Sequence, residues 1–285
     1  MISEVYAFIN ENRESMLRKI REDEEMVIKV KEMWNEQKIE DLSAFFAGID
    51  SSWNSTRHHG FFFYVVDAVA VDSSGKNVAT PKYTADIDTP TTSENGQIAY
   101  NTQRYLQSIG MDFEYELAVE ASEKGYMTLI DNSALALIYD RNHKKEKAFI
   151  EYAKDLINRG NVIFIAKTSE TKNDFNGSVG DIYYYSKYTS KAGISRVRYD
   201  THGVSVFYAR LADWAPVIKV EVPGEINEPE ALKVVRMLHS VSINGYPYPL
   251  LLAHKICKIT DEDMKTAETL LGLGAEPSAR EVLWE

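Results

Sequence analysis

The amino-acid sequence predicts an α/β fold, a mixed β-sheet flanked by helices, with helical extensions at the N- and C-termini. Three observations predict it. Short apolar runs alternate with stretches of helical period through the middle of the chain. Those runs are bounded by Gly, Asp, Asn and Ser, the residues that turn a chain. The N- and C-terminal segments carry dense charge, over apolar steps of three and four residues in the first of them. With 285 residues, 44% of them hydrophobic, the chain can bury a substantial core without disulfides or structural metals. The division it suggests is a helical segment at 1–44, a candidate for docking or dimerisation, and one large domain at 45–285.

Residues 2 to about 42 read as helical, with Val5, Phe8, Ile9, Met16, Ile20, Met26, Val27, Val30 and Met33 on the repeat. Phe45-Phe46-Ala47-Gly48-Ile49-Asp50 is a short apolar run ending in an acid; small polar residues and a second run, 61–71, follow. These read as neighbouring strands joined by a loop. From 72 to about 94 the composition marks an exposed loop, with a short strand at Lys82-Tyr83-Thr84. A helix over about 97–123 leads into a strand at 126–130 that ends at Asp131. A helix over about 144–159 and a strand, Val162–Ala166, ending at Lys167 come next. Beyond a polar, tyrosine-rich stretch, 203–209 and 217–222 read as strands and 228–240 as a helix. A last helix starts near Pro249, carries His254 and, after a break, resumes through Thr260-Asp261-Glu262-Asp263 to about Leu271. No internal repeat is present.

Several classes are excluded. Cys257 is the only cysteine, which rules out a disulfide framework or a multi-cysteine zinc or iron–sulfur site and fits a reducing, cytoplasmic setting. The first residues lack the basic start and apolar core of an export signal. No apolar run approaches the roughly 20 residues of a membrane helix. The net charge of −11 argues against a protein that coats nucleic acid non-specifically, because phosphate binding rests on clustered Lys and Arg. A chain that gathers carboxylates around cations can still be acidic overall and present a local basic channel. No Walker A pattern occurs, so any ATP-driven motor must be a partner.

Two apolar runs end in an acid and small polar residues, Ile49-Asp50-Ser51-Ser52 and Ile130-Asp131-Asn132-Ser133. Carboxylates held at strand ends on a rigid scaffold suit Mg²⁺ or Mn²⁺, which take oxygen ligands; Asp also favours such positions simply because it turns chains. Glu114, in Asp112-Phe113-Glu114-Tyr115-Glu116, could be a third carboxylate, with Glu116 and Glu120 as competitors and solvent exposure the ordinary fate of helical Glu. His254 could bind a metal or move a proton near a phosphate, or be a core histidine satisfied by hydrogen bonds. Lys167, placed as Asp50 and Asp131 are, could hold a phosphate or be an ordinary surface lysine. Tyr183-Tyr184-Tyr185-Ser186-Lys187-Tyr188 through Lys191, Arg196, Arg198 and Tyr199 interleaves aromatic and basic residues as base-stacking surfaces do, or as an irregular segment packed by its tyrosines does.

Taken in order, Gly48-Ile49-Asp50-Ser51-Ser52, Glu114, Leu129-Ile130-Asp131-Asn132-Ser133, Ile165-Ala166-Lys167-Thr168-Ser169, Gly245-Tyr246-Pro247-Tyr248-Pro249-Leu250 and Ala253-His254-Lys255 resemble the NurA family of archaeal and bacterial nucleases. The resemblance covers roughly 45–260, and the Gly-Tyr-Pro to Ala-His-Lys segment is its most distinctive part. It implies an RNase H-like fold and a metal-dependent 5′–3′ exonuclease and single-strand endonuclease of DNA double-strand break end resection. It further implies a ring-like homodimer docked beneath a HerA-type hexameric translocase. Asp50 and Asp131 would coordinate two Mn²⁺ or Mg²⁺ ions with Glu114, and Tyr246 and His254 would line the site, His254 on a metal or the phosphate. The family has Gly after both aspartates where this chain has Ser51 and Asn132. Those departures motivate a second reading, a catalytically weak clamp or adaptor for a DNA-translocating ATPase; a third is an RNase H-like enzyme on RNA or hybrid duplexes.

Overall fold

In the computed structural model, which describes residues 2–18, 20, 24–89, 102–139 and 147–273, the chain opens with α1 (Ser3–Arg18), α2 (Glu24–Met33) and a short strand, β1 (Trp34–Glu36). The helical reading of 2–42 therefore stops at Met33. Trp34 is the reason: its ring lies 5.5 Å from that of Tyr185 in a buried cluster with Met26 and Val30, and it pairs with Ser195 at the edge of the main sheet.

An antiparallel meander follows, β2 (Phe46–Arg57), β3 (Phe62–Val71) and β4 (Lys82–Asp88). The strand expected to end at Asp50 continues to Arg57, because β3 offers ladder partners from Gly48↔Val71 to Arg57↔Phe62. Residues 51–57, read as a loop from their polarity, are the outer part of a long hairpin. The short strand expected at 82–84 extends to Asp88 for the same reason, pairing with β3 throughout.

The chain continues through α3 (Thr102–Glu123), β5 (Met127–Ile130), α4 (Ala134–Tyr139), α5 (Lys147–Arg159) and β6 (Val162–Ala166). The parts of the expected helices at 97–101 and 144–146 lie outside the described residues, as does the acidic segment 276–285. Then come α6 (Asp181–Tyr188), β7 (Gly193–Ser195), β8 (Arg198–Asp200), β9 (Val204–Arg210), β10 (Val217–Pro223) and α7 (Glu228–Ser240). The two-residue strands β11 (Ser242–Ile243) and β12 (Tyr246–Pro247) pair with each other, and α8 (Tyr248–Cys257) and α9 (Asp261–Leu271) follow. Thr260 and Asp263 form a capping box that starts α9.

The main sheet has the order β1-β7-β9-β10-β6-β5-β2-β3-β4, with β8 also on β9. β5 and β6 run parallel to β2, and β10 returns antiparallel to β6. This meander leading into parallel strands is the RNase H-like mixed sheet, flanked by helices, that was expected. Alternate residues of the central strands enter two cores. Ala47, Ile49, Ile130 and Phe164 pack with Leu117 and Ala118 of α3 and Ala153 of α5; Phe46, Leu129, Ile163 and Ile165 pack with Val235 and Leu238 of α7 and Leu250 of α8. Burial on both faces is why these strands read as continuous apolar runs. α8 lies directly on β2 at Gly48, where a Cβ would fall 2.2 Å from the Pro249 carbonyl carbon, so only glycine fits. Among the described residues no helix is long and apolar enough to cross a membrane.

Candidate active site

β5 stops one residue short of Asp131, beside the middle of β2. Ile49 is opposite Ile130 in the parallel ladder, and the next residue of each strand is an aspartate. Because Ile49 and Ile130 both face the α3 core, the two-residue period turns Asp50 and Asp131 to the opposite, α8 face. Pro249 fixes α8 over Gly48, and the helix then carries His254 along β2 until Nδ1 lies 2.8 Å from Asp50 Oδ2. The Ser51 backbone N–H donates to the other Asp50 oxygen at 3.0 Å.

Lys167 follows β6 and reaches across β5, its Nζ 2.5 Å from Asp131 Oδ2 and 4.7 Å above the Tyr246 ring. The Tyr246 hydroxyl is buried and closes no hydrogen bond of good geometry among the described residues. Burial, and then the neighbouring charge of Asp131 and Asp50, push its pKa up.

Glu114 arrives from the other face. Ser51, next after Asp50, points toward α3, and its Oγ donates to Glu114 Oε1 at 2.5 Å. Gly110, one turn earlier on α3, makes room, since a Cβ there would fall 2.8 Å from Ser51 Oγ. Burial pushes the Glu114 pKa up to about 7; the Ser51 hydrogen bond opposes this and the charges of Asp50 and Asp131 add to it. Asp50 is also raised, by burial first and by Asp131, with His254 opposing. Glu116 and Glu120 turn elsewhere, to Lys82 at 2.6 Å and Lys124 at 2.7 Å. Neither Ser51 nor Asn132 has a positive φ, so neither position needs the conformational freedom of glycine.

The turn that carries Asp131 is held from below. Glu221 of β10, 1% exposed, accepts from Ser133 Oγ at 2.5 Å and from the Leu135 backbone N–H at 3.2 Å, and pairs with Lys219 Nζ at 2.7 Å. Asp67 of β3 lies near Asp50 on the other side, its pKa pushed up to about 6 by burial and by Asp263 and Asp50. Sequence reasoning missed these three. The signal was present, because each interrupts an apolar run: Val65-Val66-Asp67-Ala68 and Ile218-Lys219-Val220-Glu221-Val222. In the tyrosine-rich stretch, Tyr184 and Tyr185 are fully buried with Trp34, Phe175 and Tyr208, so packing accounts for them, whereas Tyr183 and Arg198 border an open cleft beside Lys167.

Among the described residues no group of three or more His, Cys, Asp or Glu side chains forms a ready-made metal cage. Instead, oxygens of the three carboxylates are engaged by His254, Ser51 and Lys167. The donors nevertheless fit a hard divalent cation in kind: three carboxylates at one junction whose charges oppose one another, an imidazole, and a buried hydroxyl beside Asp131.

Known proteins agree with this architecture. The chain matches the NurA domain family over residues 46–259, from the start of β2 to just past α8. A protein named DNA double-strand break repair nuclease NurA, from Saccharolobus solfataricus, is 25% identical, the match covering 87% of this chain and 87% of that protein. The crystal structure of the NurA nuclease from Sulfolobus solfataricus has the same fold, with a TM-score of 0.73 at 24% identity over 95% of this chain and 97% of that one. That of a NurA bound to dAMP and manganese gives 0.62 at 13% identity over 99% and 100%. With three quarters of its length inside that match and the sheet order to go with it, this chain belongs to the NurA domain family.

Proposed function

We propose that the chain is a metal-dependent deoxyribonuclease that trims DNA ends at double-strand breaks. One observation carries the reading: Asp50 and His254, 204 positions apart, meet at 2.8 Å at the junction where Asp131, Glu114, Lys167 and Tyr246 also converge. Support comes from the similar protein named for double-strand break repair and from the similar fold bound to dAMP and manganese. Asp50, Glu114 and Asp131, with His254 beside Asp50, would hold Mn²⁺ or Mg²⁺, two ions in this reading, which supply an activated water and stabilise the leaving oxygen. Lys167 releases Asp131 and neutralises charge on the scissile phosphate. Tyr246, whose pKa is held high by burial and by Asp131, stays protonated and donates its O–H to a phosphate oxygen. His254 orients the Asp50 carboxylate, and Ser51 does the same for Glu114.

The finer reading is a 5′–3′ exonuclease and single-strand endonuclease, a cytoplasmic homodimer working beneath a HerA-type hexameric ATPase. The helical segment 1–44 is the candidate docking or dimer surface, because α1 has no buried residue and exposes Tyr6, Phe8 and Ile9. The test is hydrolysis of 5′-labelled single- and double-stranded DNA with Mn²⁺, Mg²⁺ or EDTA, beside Asp50→Ala and Asp131→Ala. Cleavage that needs the metal and both aspartates is expected; cleavage in EDTA, or full activity in both variants, would overturn the reading.

A further inference from the structure

The cleft beside Lys167 has features that hydrolysis at the aspartates does not use. It has a volume of about 740 Å³ and runs from Lys167 past Lys219 to Arg198, within the roughly 300–1,000 Å³ range of sites that enclose a small organic ligand. That is room for a short stretch of one strand.

Three cations, Lys167, Lys219 and Arg198, border it beside two carboxylates, Glu170 and Asp200; Lys167 and Lys219 are paired with Asp131 and Glu221, which leaves Arg198 the least engaged. Lys219 Nζ pairs with Glu221 on its inner side, while on the cleft side the hydroxyls of Ser133 and Thr171 lie at 3.4 Å each, and the Asp174 carboxylate is near enough to feel both Lys219 and Arg198. Arg198 is also underused: Nη1 stands 3.9 Å from Asp200, and its buried Nε has no hydrogen-bond partner among the described residues. Asp200 is itself occupied, accepting from the Tyr139 hydroxyl at 3.1 Å and from the His202 backbone N–H at 3.0 Å. Glu170 is the other carboxylate bordering the space. Tyr139 borders it as well, and is 53% exposed.

Spaced cations and an exposed aromatic ring are what a single strand needs: phosphates follow the charges, and an unpaired base stacks on the ring. We propose that this cleft is the strand subsite next to the scissile phosphate, taking single-stranded DNA with Arg198 on a phosphate beyond the one at Lys167 and a base on Tyr139. The proposal rests on the nuclease reading of the aspartate site and deepens it.

The test is fluorescence anisotropy of a labelled short oligothymidylate with the full chain, in EDTA so that nothing turns over, across a salt series. Arg198→Ala is expected to weaken binding about tenfold and to lower the salt slope by about 0.7, one phosphate contact on a single strand. Arg198→Lys, which keeps the charge, recovers the slope; a variant that merely loosened the fold would not be rescued in this way. Tyr139→Leu is expected to weaken binding about five- to tenfold, on the scale of one lost base stack, and Tyr139→Phe to bind like the wild type. Wild-type affinity and slope in Arg198→Ala, equal binding of Tyr139→Leu and Tyr139→Phe, or tighter binding of the matching RNA would each overturn the subsite. The two readings fail separately: a wild type that binds in this pattern but leaves DNA uncut with Mn²⁺ or Mg²⁺, or cuts it equally in EDTA, sinks the metal-dependent nuclease alone, and one that cleaves with metal but is indifferent at Arg198 sinks the cleft alone.

Discussion

Two groups of ionisable side chains flank the turn after β5, and they are built on opposite plans. Below it, Glu221, Lys219 and Ser133 are buried and matched, one carboxylate with one ammonium, one hydroxyl and one backbone N–H. Above it, Asp50, Glu114 and Asp131 are in surplus: among the described residues Lys167 is the one cation paired with them, besides a histidine. The first arrangement is complete and holds the backbone still. The second leaves Asp50 and Glu114 raised in pKa by burial and by the neighbouring carboxylates, which is the electrostatic condition a divalent cation relieves. The lesson is that density of charge does not mark a functional site; imbalance supported by a balanced neighbour does.

The comparison can be broken in order of effect. In the surplus group, Asp131→Ala is expected to lower DNA cleavage at least about a hundredfold, the scale of losing a preorganised charge partner, with little change in melting temperature. In the balanced group the reverse holds: Glu221→Ala should destabilise the fold by about 3–5 kcal/mol, because it strands the buried Lys219 ammonium. Denaturant titration reads this, and replacing both residues, Lys219→Met with Glu221→Leu, should recover most of the loss. A double variant as unstable as the single one would show that the pair does more than balance.

Much of this was legible in the sequence, and the failures share a cause. Strands with both faces buried announce themselves as apolar runs, so β3, β5, β6 and β10 were readable, as was Asp131 at the end of β5. Asp50 was found for a partly mistaken reason: it lies within a strand, not at its end, since the ladder with β3 overrides the polarity of residues 51–57. Glu114 could be separated from Glu116 and Glu120 only by resemblance, because the choice depends on Ser51 facing α3 across the sheet. Asp67, Lys219 and Glu221 were passed over because single charges inside apolar runs were not treated as signals. The packing role of Tyr184 and Tyr185 needed the position of Trp34, some 150 residues away in sequence and placed by tertiary contact.

Smaller effects sharpen the same contrast. Glu114 has a folded pKa near 7, above its unfolded value, so the folded state binds the extra proton. Its contribution to stability is therefore full below the unfolded pKa and is lost as pH rises through about 7. In EDTA, wild-type stability relative to Glu114→Gln should fall by on the order of 1–3 kcal/mol between about pH 5 and pH 8, a loss that Mn²⁺ reduces. Parallel pH profiles for the two proteins would remove Glu114 from the surplus group. Smallest of all, Glu116→Ala should change stability by less than about 0.5 kcal/mol and leave cleavage intact, because its partner Lys82 is a surface contact.

The central claim is that the surplus of carboxylates at the β2–β5 junction is a cation site, and calorimetric titration of Mn²⁺ into the chain without substrate tests it most directly. Saturable binding in the wild type, weakened at least about tenfold in Asp50→Ala and in Asp131→Ala but unchanged in Glu116→Ala, is the predicted result. Equal Mn²⁺ affinity in the wild type and in both aspartate variants would contradict it.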